Sequence, residues 1–256
     1  MSEIQLEIKN LKKTFSLSRK QRAERKTDAT ELVAVNDISI ALRAGEIYGL
    51  LGPNGAGKTT TLRMLSTLLS PDSGEVLFNG KNINEDVFAY RKKVSFLTSE
   101  LKLDDFFTPE YTFQYFGELY GMSREEIAAR RNHLFARFGV SEFANTQIKN
   151  LSTGMKQKAS LAISLCHNPE IIIFDEPTNG LDIIASRDVE NFLVDLKKEN
   201  KIIIVSTHIF SLVEKLCDRV GIIANGKLIE EGLTKELTKD RPLEDVFFGL
   251  LEEGRI

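Results

Sequence analysis

Eight residues carry the strongest chemical signal: Gly52-Pro53-Asn54-Gly55-Ala56-Gly57-Lys58-Thr59 matches G-x-x-x-x-G-K-[ST] at every fixed position. It follows the strand-like run EIYGLL and opens the helix-like run GKTTTLRML. Glycines let consecutive backbone N–H groups turn inward around phosphate oxygens, where side chains would stand in the way. The N-terminus of the following helix adds partial positive charge at the same point. Lys58 can reach β- and γ-phosphates, the Thr59 hydroxyl can bind Mg²⁺, and Thr60 continues the cradle. Average residue usage gives a chain of this length a chance match on the order of once in a hundred. The strand–loop–helix context lowers that further, and the segment is read as a nucleoside triphosphate site.

A second constellation is Ile171-Ile-Ile-Phe-Asp175-Glu176, an apolar strand ending in two carboxylates. In parallel α/β sheets ligands collect at the carboxyl ends of the strands, so Asp175 is expected beside the phosphate loop as a Mg²⁺ ligand. Glu176 is the candidate for polarising the attacking water. Alone, such a pair is more often a solvated turn; beside a complete phosphate loop it points to catalysis. His208, just beyond KIIIVST, is placed to donate to a γ-phosphate and sense its presence. His133 and His167 have no such support. Cys166 and Cys217 match no metal or redox spacing and are read as packing residues of a reducing compartment.

These groups need a scaffold, and the hydrophobic pattern describes one. Residues 4–15 and 33–42 read as strands, and from Gly45 strands alternate with helices. IIIF and IIIV are apolar throughout, as in a parallel sheet covered on both faces. From Thr108 to about Gln147 the pattern is helix after helix, opened by Thr108-Pro109 and by a capping box at Ser123 and Glu126. Residues 16–31, SLSRKQRAERKTDATE, are almost purely polar and are expected to form a surface loop or hairpin tip, solvated or touching phosphate lipids or a partner. After about 232 come two short helices whose stripe of Leu243, Val246, Phe247, Leu250 and Leu251 should pack on the body.

Bulk properties are those of a globular protein: 256 residues, 42% hydrophobic, 28% charged. A net charge of −3 gives no global case for binding nucleic acid or acidic lipid, and no nucleic acid partner is expected. No apolar run approaches the roughly 18 residues needed to span a bilayer, and the charged N-terminus lacks a signal-peptide core. A cytoplasmic location is expected.

Four elements stand in one order: GPNGAGKT (52–59), LSTGMKQK (151–158), IIIFDEPTNGLD (171–182) and STH (206–208). Together, over about 10 to 235, they resemble the nucleotide-binding cassettes of ABC transporters. LSTGM is similar to the family's signature loop LSGGQ, and its variant form is similar to bacterial exporters, including the sodium-exporter group. The resemblance implies an α/β P-loop fold: a mostly parallel core sheet, an antiparallel β region and an inserted helical subdomain. It divides one domain, 1–256, into a RecA-like core (about 1–98 and 168–232), a helical subdomain (about 99–167) and a tail (233–256).

It further implies an ATPase with Mg²⁺ that works as a head-to-tail dimer, most simply of two copies of this chain. Each ATP would lie between one phosphate loop and the Ser152 and Gly154 of the second cassette, with Asp182 linking the sites. Phe15 stands where the family stacks an aromatic on adenine, although plain core is an alternative. Ser99 occupies the usual glutamine position next to Glu100, which puts the metal shell in doubt there. Residues 106–120 are expected to dock membrane-spanning permease subunits at the cytoplasmic face of the membrane, or to be ordinary core. The implied function is to energise export, with sodium or drugs as substrates that the likeness suggests. The alternative is a soluble ABC ATPase uncoupled from transport, a class that usually adds coiled coils or a second cassette.

Overall fold

The fold was obtained as a computed structural model, and the structure describes residues 4–98, 103–179 and 183–255. β1 (Ile4–Ser16) and β2 (Glu31–Arg43) form a long antiparallel hairpin, and a short helix, α1 (Arg19–Arg25), sits at its tip. β3 (Ile47–Leu51) leads into the phosphate loop and α2 (Lys58–Leu65). β4 (Ser73–Phe78), β5 (Lys81–Asn82) and α3 (Val87–Arg91) precede β6 (Val94–Thr98). Then come α4 (Pro109–Leu119), α5 (Arg124–Phe138), two 3₁₀ turns and α6 (Thr153–Ser164). The αβ alternation resumes with β7 (Ile171–Asp175), α7 (Ile183–Lys198), β8 (Ile202–Thr207), α8 (Phe210–Leu216) and β9 (Arg219–Ala224). β10 (Lys227–Leu233), α9 (Thr234–Leu237) and α10 (Leu243–Glu252) complete it.

Two sheets result. The four-stranded antiparallel sheet runs β2-β1-β4-β5 and the six-stranded sheet β10-β9-β3-β8-β7-β6, parallel except for β10. The parallel strands are buried on both faces, which is why β7 and β8 show no apolar–polar alternation. Ile172 and Phe174 join the core under the helices, while Ile171 and Ile173 join the core shared with the antiparallel sheet. Each strand thereby grips two cores at once, and its carboxyl end is held at a fixed height.

The helices start where local chemistry predicts. Thr108 caps α4 with its side chain accepting from Tyr111 N–H, and Pro109 occupies the first position. At α5 both halves of the Ser123–Glu126 capping box are formed, and Gly139 ends it in the left-handed conformation. The tail stripe packs through Leu243, Val246, Phe247 and Leu250; Leu251, expected to pack with them, stays 39% exposed.

The hairpin tip departs from expectation, because 19–25 is a helix rather than a loop. No residue of α1 is buried, so the absence of an apolar stripe left nothing for periodicity to detect. The helix is instead fixed at its ends. Ser18 and Gln21 form a complete capping box, and Lys26 closes the C-terminus in the left-handed region at φ 50°.

Candidate functional site

The phosphate loop begins where β3 emerges from the sheet, and its shape leaves no room for side chains at two positions. A Cβ on Gly52 would lie 2.1 Å from the Ile223 carbonyl oxygen. Gly57 has φ +107° and a Cβ there would come within 2.4 Å of the Ala34 oxygen. The loop is braced by Ala56 N–H donating to Pro53 O at 3.2 Å and by Gly226 N–H donating to Ala56 O at 3.0 Å. Lys58, 5% exposed, donates through Nζ to the carbonyl oxygens of Gly52 (2.7 Å) and Pro53 (3.2 Å). Asn54 through Thr60 line a cavity of about 490 Å³, with Phe15 and Glu176 also on its wall.

The Asp175–Glu176 pair closes β7, and of the two Glu176 lines the cavity while Asp175 does not. Asp175 is buried and accepts from the Ser206 hydroxyl at 2.5 Å, its cross-strand partner on β8. That bond fixes Asp175, and nothing in the sequence pattern of β8 announced it. Glu176 follows in the left-handed region, φ +55°, with its N–H donating to Ser206 O at 3.1 Å. A carboxylate residue held there costs on the order of 1–3 kcal/mol, a kind of strain that clusters at functional sites. The turn brings the Glu176 carboxylate to 3.6 Å from Lys58 Nζ and 3.0 Å from His208 Nδ1. Three residues spread over 150 positions of the chain thus converge: Lys58 buried, Glu176 nearly so, and His208 with 47% of its side chain exposed.

Phe15 opens onto the same cavity, 36% exposed, with Lys13 Nζ 5.7 Å from its ring centroid. It is therefore not plain core. Gln21 and Arg25 of α1, and Arg63 of α2, also line the cavity, and no motif in the sequence marks them. Ser152 and Gly154 do not line it. Ser152 caps α6, accepting from Met155 N–H at 3.3 Å, and no atom lies within 4 Å of a Cβ placed on Gly154. Asp182, Ser99 and Glu100 lie outside the described residues.

The remaining histidines and cysteines play no part. His167 stacks on Tyr120 (ring centroids 3.9 Å apart), and burial pushes its pKa down to about 4. Burial raises the thiols of Cys166 and Cys217 to about 12, far from thiolate chemistry. A larger cavity, about 580 Å³, lies between β6, α4 and α6 and is walled by Phe107, Tyr111, Tyr115 and Phe116. The segment 106–120 is thus divided, with Phe113 in the core and Phe106, Tyr111 and Tyr115 more than half exposed. No helix among the described residues is long and apolar enough to cross a membrane.

A glycine-lined loop opening a helix after β3, with an Asp–Glu pair closing β7 two strands away in the same sheet, defines a P-loop ATPase cassette. Comparison with known proteins agrees. The ABC transporter family model matches residues 35–179. The chain is 41% identical over 225 residues to the ABC transporter ATP-binding protein NatA of Bacillus subtilis (strain 168), covering 86% of this chain and 92% of that one. It is 38% identical over 200 residues to the Nod factor export ATP-binding protein I of Burkholderia lata, covering 78% and 66% respectively. A solved ATP-binding subunit of an ABC transporter superposes with a TM-score of 0.82 at 25% identity, covering 96% of this chain and 99% of its own. The chain belongs to the ABC transporter family and is an ATP-binding, ATP-hydrolysing subunit within it.

Proposed function

We propose that this subunit powers export through separate membrane-spanning permeases at the cytoplasmic face of the membrane, with Glu176, Lys58 and His208 as its catalytic groups. The observation that supports the catalytic assignment is the convergence of the three side chains at one end of the phosphate loop. Glu176 is held rigidly enough to orient a water for attack and to accept its proton, a contribution of about 10²–10⁴-fold for a positioned base. Lys58 would move from the loop carbonyls to the phosphate oxygens, exchanging two neutral acceptors for a charged one. His208 is partly exposed and beside Glu176, so it can donate to the terminal phosphate and keep Glu176 oriented.

Hard oxygen donors suit Mg²⁺: Thr59 on the cavity wall and Asp175, locked by Ser206, would hold it, and the ion would neutralise phosphate charge. Such a sparse protein ligand set is usual for an ion that shares its shell with phosphates and water.

Asn54–Thr60 would cradle the phosphates, and Phe15 would stack on the base. The open start of α6 is taken as half of a second site. Ser152 and Gly154 would offer a hydroxyl and the N–H groups of a helix start to the ATP of a second cassette, most simply another copy of this chain, with Asp182 in the linking loop. ATP would then favour the closed pair through contacts that hydrolysis removes. Residues 99–167 would act as the helical subdomain that carries this edge. Export is supported by the relative whose name states it, and by the likeness of the signature loop to bacterial exporters, including the sodium-exporter group. No nucleic acid is a partner on this reading.

The test is Glu176→Gln, followed by size in solution with and without Mg·ATP and by phosphate release. ATP binding should persist, turnover should fall by at least about 10²-fold, and an ATP-dependent dimer should accumulate. Normal turnover would remove Glu176 from the mechanism.

A further inference from the structure

The nucleotide cavity has one wall that the phosphate loop does not explain. Its outer side is made by the tip of the β1–β2 hairpin, where Gln21 and Arg25 stand beside Phe15. Those two residues are four apart on α1 and so share a face of the helix. The adjacent pair, Lys20 and Glu24, is exposed and pairs with itself at 3.9 Å.

Seven residues are too few for a helix to persist on propensity, and α1 buries nothing apolar. Its placement is set by specific local bonds instead. The hairpin ladder ends at the Ser16–Glu31 pair and is extended by Leu17 N–H donating to Thr30 O at 2.8 Å. Beyond that clamp come the Ser18–Gln21 box and a C-terminal closure in which Thr27 N–H donates to Arg22 O at 3.1 Å. The chain is fixed on both sides of α1, so the Gln21–Arg25 face is held towards the cavity.

What this face offers is specific. Gln21 Oε1 is taken by Ser18 N–H at 2.9 Å, which leaves the amide to act as a donor. Arg25 carries donors only, and among the described residues no ion pair or hydrogen bond engages its side chain. A donor-only face next to an aromatic platform matches the acceptor atoms of a purine and its ribose. A guanidinium can also lie over a base whose other face rests on an aromatic ring.

We propose that α1 is a nucleotide-binding element: Gln21 and Arg25 contact the base–ribose end of bound ATP and close the pocket over Phe15. This rests on the reading that the phosphate-loop cavity binds ATP.

The experiment titrates ATP, ADP and inorganic tripolyphosphate into the full chain carrying Glu176→Gln, so that ATP persists, and compares Arg25→Ala, Gln21→Glu and Arg19→Ala in that background. Glutamate can still close the capping box, so Gln21→Glu removes the amide donors without removing the helix. Arg25→Ala should weaken ATP and ADP equally, by about fivefold to tenfold, the scale of one charge-assisted contact in a partly open site. Gln21→Glu should weaken both by a smaller factor, and neither variant should alter tripolyphosphate binding. Arg19→Ala removes the same charge away from the cavity and should bind as the parent does. Equal loss in Arg19→Ala, or loss that extends to tripolyphosphate, would overturn the proposal in favour of general or phosphate-directed attraction. Unchanged binding in Arg25→Ala would overturn it too. Failure of the parent to bind any nucleotide would instead overturn the reading of the cavity.

Discussion

Two motif glycines, Gly57 of the phosphate loop and Gly154 of the signature loop, sit in opposite surroundings. Gly57 is wedged at φ +107° with Ala34 O only 2.4 Å from where a Cβ would stand. Gly154 opens onto space, with nothing inside 4 Å. The first is required by the chain's own packing, because the loop must pass under β2 and turn its N–H groups inward. Among the described residues no packing contact requires the second. A small residue kept at an open helix start has its explanation in something that approaches from outside, which on the proposed reading is a second cassette's ATP. On that reading one site is finished within the chain and the other is not.

The largest expected effect tests the finished half. Gly57→Ala forces a side chain into the left-handed region against backbone that cannot yield, at a cost of about 3 kcal/mol or more. Denaturant unfolding should show that loss together with loss of ATP binding in titration. A variant as stable as wild type would show that the loop can open without penalty, and the contrast with Gly154 would disappear.

Gly154→Ala is next and should behave oppositely. Alanine in the first turn of α6 adds no clash and gains up to about 1 kcal/mol of helix propensity. Unfolding should be unchanged or slightly harder, and monomer binding of ATP should be retained. The ATP-dependent dimer should weaken and turnover should fall by about tenfold, the scale of one contact worth about 1.4 kcal/mol. Wild-type turnover would mean that the edge of α6 never meets a nucleotide.

The same contrast explains what could be read before the structure was seen. The phosphate loop was legible because steric demand restricts its residues to glycine at set spacing, and the apolar runs IIIF and IIIV because both faces are buried. Caps at Thr108 and Ser123 were legible because they are local chemistry. α1 escaped because its stability lies in a Ser18–Gln21 box within a segment that is otherwise all polar, although the S-x-x-Q spacing was there to be noticed. β10, reading KLIEEGL, escaped because an edge strand on an antiparallel pair needs no apolar face. The Ser206–Asp175 bond and the Lys58–Glu176–His208 convergence depend on the order β3-β8-β7 in the sheet. That order comes from long-range pairing, and no local window contains it.

Ser152 separates the two halves most finely, because the proposed reading gives it a duty in each. Inside the chain it caps α6, and its bond to Met155 N–H is long at 3.3 Å, so removing it should cost no more than about 1 kcal/mol. Ser152→Ala should therefore show a small loss in unfolding, which alone cannot tell a cap from a ligand. Ser152→Asp does, since aspartate caps a helix as well as serine and its charge also suits the N-terminus. Monomer stability should hold or rise, while a carboxylate placed against a triphosphate repels it. The aspartate variant should thus be stable, bind ATP at its own phosphate loop, and fail to form the ATP-dependent dimer. A dimer that forms at the wild-type ATP concentration would show that no phosphate comes near Ser152, and the outward face of α6 would need another explanation.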